Sequence, residues 1–164
     1  MLRLLNDYCG LGLSKQQLAS YALALGSDCP FYIYNTPQFA TGRGEKMHEI
    51  PVDLSDYSIQ LICPQLPIST ARAFSMITPK PAGYDLRQLY KLPVREWKSC
   101  VTNDFEIPVF QQHPELAIIK EQLYEQGALY ASMSGSGSAI YGIFPKNSKA
   151  EIKLSMPFEV FYVQ

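Results

Sequence analysis

Apolar residues recur at helical spacing in two parts of the chain. Ser14 and Gln17 form a capping box ahead of the first stripe, and Gly26 suits its end. In the second, Pro114 suits the first helical turn and Gly127 the end. The spacing therefore predicts two amphipathic helices, whose stripes are Leu18, Tyr21, Ala22 and Leu25 in the first and Leu116, Ile119 and Leu123 in the second.

Shorter helices are predicted from weaker signals. Residues 1–8 have the apolar content of a buried helix without a capping residue before it. Thr70 is predicted to cap a helix that runs towards Met76, and Asp85 another through Leu89. Residues 97–105 are predicted to be helical.

Aromatic and β-branched runs predict strands between these helices. The order of elements is typical of the α+β class, with a domain boundary between residues 56 and 57. A first piece of residues 1–56 is marginal for a core of its own, whereas residues 57–164 are long enough for a domain. The predicted strands are residues 31–34, 39–41, 57–63, 129–133, 139–144 and 158–163.

Composition narrows the function classes. The chain has 164 residues, of which 47% are hydrophobic and 18% charged, with a net charge of −1. This balance predicts a globular protein and argues against a broad electrostatic surface for nucleic acid or an acidic membrane. Four dispersed cysteines, without metal-ligand spacing to each other or to histidine, predict reduced thiols, a cytoplasmic location and no metal site.

Asp28 lies between a predicted helix end and a predicted strand start. A carboxylate held there between two elements can accept a proton from a substrate hydroxyl. An Asx turn that stabilises the corner before Pro30 is the alternative explanation, because aspartate is common in turns for that reason. The local residues favour the turn.

Residues 134–138 read Ser-Gly-Ser-Gly-Ser between two predicted strands. Small residues let a backbone approach a ligand, and successive N–H groups can form an anion-binding nest. The segment lacks the Gly-Lys-Ser/Thr of a P-loop, and Ile140 stands where a dinucleotide fingerprint has a third small residue. A tight turn of small residues is the alternative, and composition alone does not separate the two.

Thr70 and Phe74 are four residues apart and so share one face of their predicted helix. Threonine at such a position is most often a cap and phenylalanine most often a core residue. The residues alone do not assign a ligand to them.

Taken in order, five segments are similar to the GHMP kinase superfamily. The similarity covers essentially the whole chain, and points to the branch that phosphorylates a cytidine-diphosphate-linked methylerythritol. Each motif is weak alone, and their order makes the resemblance strong. The segments are residues 11–14, 25–31, 40–45, 103–106 and 132–138.

The resemblance implies a role for each candidate residue. Asp28 matches the aspartate that acts as base on the substrate's 2-hydroxyl as it attacks the γ-phosphate of ATP. Thr70 and Phe74 match the segment that holds the cytidine end. The phosphate-loop positions Ser134, Gly135, Ser136 and Gly137 match a glycine-rich loop at the border of the active site. ATP and Mg²⁺ are the implied cofactors, and isoprenoid biosynthesis by the non-mevalonate route is the implied pathway.

The resemblance also implies a two-lobed fold. One lobe resembles a ribosomal-protein module and the other is ferredoxin-like. Residues 1–56 correspond to the C-terminal part of the first lobe and residues 57–164 to the second. An N-terminal lysine and an ATP-cradling glycine loop of the family have no counterpart in the printed sequence. We therefore expect a C-terminal fragment that is inactive alone and that forms homodimers through exposed apolar surface. The alternatives are a GHMP kinase for another small molecule, and a non-catalytic binding or self-association module.

Overall fold

The computed structural model describes residues 1–78 and 80–163. The chain divides into two compact units, Met1–Val52 and Asp53–Gln164. The predicted boundary between residues 56 and 57 falls within a few residues of this division.

The first unit consists of three helices and a hairpin. The helices are α1 (Leu2–Tyr8), α2 (Lys15–Leu25) and α3 (Cys29–Tyr34), and the antiparallel hairpin pairs β1 (Gln38–Thr41) with β2 (Lys46–Glu49). Its small core is formed by Leu18, Ala19, Ala22 and Ile33.

The capping box that begins α2 is confirmed. The Ser14 hydroxyl accepts from Gln17 N, and the Gln17 side chain accepts from Ser14 N at 2.9 Å. Of the predicted stripe, Leu18 and Ala22 are buried, whereas Tyr21 is 57% exposed. The helix α1 is also present, but no residue of α1 is buried, so the prediction of a buried helix is wrong for this unit.

The strand predicted over residues 31–34 is wrong, because these residues form α3. Pro30 occupies the first turn of this helix, where its fixed φ favours helical backbone. Asn35 then ends the helix in the left-handed conformation with φ 53°. Burial of Pro30 and Ile33 outweighs the strand preference of the aromatic residues.

The second unit has a four-stranded antiparallel sheet in the order β4-β5-β3-β6. Its strands are β3 (Tyr57–Pro64), β4 (Tyr130–Met133), β5 (Ile140–Pro145) and β6 (Phe158–Val163). Between β3 and β4 the chain forms α4 (Thr70–Ser75), two 3₁₀ helices (Leu86–Lys91 and Val94–Ser99), α5 (Glu106–Gln112) and α6 (Pro114–Glu125). The α+β class is therefore confirmed.

The core of the second unit lies between one face of the sheet and α6. Alternate residues of β3 are buried, as expected for a strand with one face covered. Leu116, Ile119 and Leu123 of α6 are fully buried, as their spacing predicts. The α6 helix ends just before Gly127, which takes a φ of 95°.

Two helical segments differ from the prediction, one in its first residue and one in its extent. The cap of α4 is Ser69, whose hydroxyl accepts from Arg72 N at 3.3 Å, and Thr70 is the first helical residue. The helix predicted over residues 97–105 is replaced by a 3₁₀ helix that ends at Ser99 and a non-helical segment before α5. The Asn103 side chain accepts from Phe105 N at 2.9 Å, and this Asx turn competes with helical bonding.

Asp85 caps its helix as predicted, although the helix is of the 3₁₀ type. Within residues 1–78 and 80–163, no helix has the length and apolar character needed to cross a membrane.

Candidate active site

Asp28 stands at the start of α3 in the first unit. Its side chain forms no capping bond, so the Asx-type interpretation has no bond to support it. The Ser27 hydroxyl donates to Asp28 Oδ1 at 3.4 Å. The carboxylate is exposed and is left available as an acceptor.

A pocket of about 220 Å³ opens around this carboxylate. Gly44, at the hairpin turn, has a φ of 101°, and a Cβ there would come 3.1 Å from Asp28 Oδ1. Glycine thus keeps the turn close to the carboxylate without blocking it. Besides Asp28 and Gly44, the pocket is lined by Phe31, Tyr32, Gln38, Ala40 and Met47.

The Ser-Gly segment forms the loop between β4 and β5 in the second unit. Ser134 N donates to Ala139 O at 2.8 Å and Gly137 N donates to Ser134 O at 3.0 Å. Gly135 and Gly137 have φ values of 56° and 94°. None of the hydrogen bonds formed within the described ranges uses the N–H groups of Gly135 or Ser136. The loop therefore leaves two consecutive N–H groups without a partner among the described residues, and successive N–H groups of this kind can form an anion-binding nest.

The structure brings Thr70 and Ser136 together. Their hydroxyl oxygens lie 3.2 Å apart, which joins the first turn of α4 to the Ser-Gly loop. Phe74, one turn further along α4, is 59% exposed. Its ring meets that of Phe105 edge to face, with centroids 4.9 Å apart. Three sequence-predicted elements, Thr70, Phe74 and the loop, thus belong to one region of the second unit.

Asn103 and Glu106 support the loop, a role that their residue types and local spacing do not predict. Asn103 Nδ2 donates to the carbonyl oxygens of Met133 and Gly135, both at 2.8 Å. Glu106 Oε1 accepts from Met133 N at 2.8 Å and from the Ser132 hydroxyl at 3.0 Å. The signal that marked them was the motif Asn-Asp-Phe-Glu at residues 103–106.

A buried phenol, Tyr130, and a half-buried one, Tyr141, lie on the strands that carry this loop. Burial raises the pKa of Tyr130 well above its usual range, and the nearby Tyr141 adds to this effect. The pKa of Tyr141 is also raised by burial, partly opposed by its hydrogen bond with Tyr130. Both phenols are therefore neutral at physiological pH and add no charge to these strands.

A protein-held metal has no ready-made ligand set here. Among residues 1–78 and 80–163, no group of three or more His, Cys, Asp or Glu side chains is placed to hold a metal ion. The four cysteines are free thiols.

The chain is similar in sequence to known small-molecule kinases. Residues 85–162 match the family model described as GHMP kinases C terminal. The chain is 50% identical over 144 residues to a 4-diphosphocytidyl-2-C-methyl-D-erythritol kinase of Bacteroides thetaiotaomicron, and this covers 88% of the chain and 53% of the relative. It is 48% identical over 146 residues to the protein of that name from Parabacteroides distasonis, covering 89% of the chain and 54% of the relative. The chain thus spans about half the length of the curated relatives it matches.

Solved structures agree in fold. A crystal structure of 4-(cytidine 5'-diphospho)-2C-methyl-D-erythritol kinase superposes with a TM-score of 0.66 at 26% identity, covering 85% of this chain and 51% of that one. A homoserine kinase from Cytophaga hutchinsonii superposes with a TM-score of 0.56 at 13% identity, covering 98% and 61%. The second likeness concerns the fold alone.

Proposed function

We propose that this chain is part of a GHMP kinase and serves the ATP-dependent phosphorylation of the 2-hydroxyl of 4-diphosphocytidyl-2-C-methyl-D-erythritol, since its residues 85–162 match the C-terminal family model. This reaction belongs to the non-mevalonate route of isoprenoid biosynthesis. The observation that carries the proposal is the 50% identity over 144 residues to a kinase named for that substrate. The proposal concerns the complete kinase, of which this chain matches about half.

Asp28 is the proposed catalytic base. It is exposed in a pocket, and its carboxylate accepts only from Ser27 among the hydrogen bonds of the described residues. A carboxylate so placed takes the proton of the hydroxyl as that oxygen attacks the γ-phosphate.

Thr70 and Phe74 are the proposed contacts for the cytidine end. Phe105 holds the Phe74 ring from one edge, while more than half of the Phe74 surface is open to a ligand. Stacking of a base on such a ring is worth about 1–3 kcal/mol in nucleic-acid complexes. This favours a substrate with a planar base over a small alcohol such as homoserine.

Residues 134–137 are proposed to border the phosphates. The N–H groups of Gly135 and Ser136 provide donors that suit an anion. ATP supplies the phosphoryl group, and Mg²⁺ neutralises charge on the transferred phosphate when it is bound. We assign no Mg²⁺ ligand to the described residues, because they contain no cluster of ligating side chains.

We also propose which domains the two parts of the chain represent and where in the cell the protein is located. Residues 1–56 are the end of a lobe resembling a ribosomal-protein module, and residues 57–164 form a ferredoxin-like C-terminal domain. A cytoplasmic location suits the free thiols. Homodimerisation through exposed apolar side chains of the first unit stays a prediction. Leu4, Tyr8 and Leu25 are the relevant side chains, at 64%, 87% and 73% exposed.

Titration of cytidine diphosphate into the 164-residue chain tests the substrate assignment. We expect saturable binding that Phe74→Ala weakens about 5- to 100-fold, because the variant removes one stacking surface. Phe161→Ala is the matched control, since Phe161 is a similarly exposed phenylalanine, 50% exposed, on β6 rather than on α4. Equal effects of both substitutions, or no binding to the unaltered chain, would contradict the assignment.

A further inference from the structure

We infer that Glu106 is a positioning residue whose charge sets the conformation of the Ser-Gly loop. The inference rests on the proposed function for its catalytic meaning, because the loop is proposed to border the phosphates. The geometry of Glu106 itself is independent of that proposal.

Glu106 joins three elements. It is the first residue of α5, and its Oε1 accepts from Met133 N and the Ser132 hydroxyl at the end of β4. Its Oε2 lies 2.6 Å from Lys120 Nζ on α6. One carboxylate therefore holds the last residues before the loop against both helices.

The ion pair is largely shielded from solvent. The Glu106 side chain is 13% exposed and that of Lys120 is 24% exposed. Removal of one charge from a shielded pair leaves the other uncompensated, which costs more than the pair contributes when both are replaced. Ser132 and Met133 are themselves buried, so water cannot replace the carboxylate as the acceptor for the Ser132 hydroxyl and the Met133 N–H.

Asn103 acts on the same segment from the carbonyl side. Its Nδ2 binds the oxygens of Met133 and Gly135, while Glu106 binds the Met133 N–H. The Met133 peptide groups are thus fixed through both a donor and an acceptor. These bonds fix the direction in which the loop leaves β4. They thereby also fix the orientation of the free N–H groups of Gly135 and Ser136.

Amide hydrogen exchange of the 164-residue chain, followed by NMR, tests the inference without any ligand. In Glu106→Gln, an amide replaces the carboxylate beside the Lys120 ammonium. We expect exchange of the Met133, Ser134 and Gly137 amides to accelerate about tenfold, while amides shared by β3 and β5 keep their rates. Adding Lys120→Met removes the uncompensated ammonium, and we expect the double variant to return to within about threefold of the unaltered chain.

Glu125→Gln is the matched control, because it neutralises an exposed acid of α6 away from the loop. Unchanged exchange at the three loop amides in Glu106→Gln, or a uniform rise across the sheet, overturns the inference. If Glu106→Gln does not fold, amide exchange in the Lys120→Met single variant tests the inference instead. A rise of about threefold confined to the loop supports the inference, and no change overturns it.

Titration of cytidine diphosphate into the same variants separates this inference from the proposed function. We expect Glu106→Gln to weaken the response of the Gly135 and Ser136 amides about tenfold. Phe74→Ala should weaken binding without altering loop exchange. Failure of the unaltered chain to bind cytidine diphosphate counts against the proposed function, whereas the exchange rates still decide the role of Glu106.

Discussion

Position 137 of the Ser-Gly loop depends on glycine for two separate reasons. Its φ of 94° lies in a region that side chains rarely adopt. A Cβ there would also come 2.8 Å from Met133 Sδ and 2.9 Å from Ile68 Cδ1. The loop is therefore tied both to the end of β4 and to the segment before α4.

Gly137→Ala is expected to destabilise the second unit by about 1–3 kcal/mol, since it combines backbone strain with close contacts. Urea unfolding followed by the fluorescence of Trp97, the chain's one tryptophan, measures this because the ring is buried in that unit. Gly83→Ala is the control, since a Cβ there meets nothing within 4 Å. Equal unfolding midpoints for the two variants would show that the loop geometry is not constrained as described.

Sequence patterns identified Thr70, Phe74 and the Ser-Gly loop as candidates but not how they meet. The contact between Thr70 and Ser136 joins residues 66 positions apart, so no local spacing announces it. The roles of Asn103 and Glu106 are equally hidden, because their partners at the end of β4 and in the loop lie 26 to 32 positions away. Only the motif resemblance drew attention to them.

The helices and strands follow local rules to different extents. The long α6 helix was predicted correctly, since its apolar face coincides with its buried face. The short α3 helix was not, because over six residues the aromatic preference for strands competes with the effect of Pro30. Short elements depend more on tertiary burial than on their own propensity.

The start of α4 provides a test at this scale, because two adjacent hydroxyl residues compete for the cap. Ser69→Ala is expected to cost about 1 kcal/mol, since the Ser69 hydroxyl accepts from Arg72 N. Thr70→Ala is expected to cost less, because it removes only the exposed contact with Ser136. Both are measured by Trp97 fluorescence in urea, and the reverse order would contradict the assignment of Ser69 as the cap.

The candidate residues are distributed over the two units of the chain. Asp28 belongs to the first, and Thr70, Phe74 and the loop belong to the second. The α+β class could be predicted from the order of elements. The motif resemblance predicts a C-terminal fragment, and the comparisons give its extent, since the chain matches about half the length of the relatives.

Phosphoryl transfer tests the proposed kinase function most directly. We would join the N-terminal part of the Bacteroides relative to this chain and follow transfer from ATP to 4-diphosphocytidyl-2-C-methyl-D-erythritol, homoserine and mevalonate by ³¹P NMR. We expect transfer to the first substrate alone, and no transfer by the 164-residue chain alone. We also expect a loss of about 10²–10⁴-fold in Asp28→Asn and an unchanged rate in the exposed control Asp7→Asn. A joined protein that binds both substrates but transfers no phosphate, or one in which Asp28→Asn keeps the full rate, would contradict it.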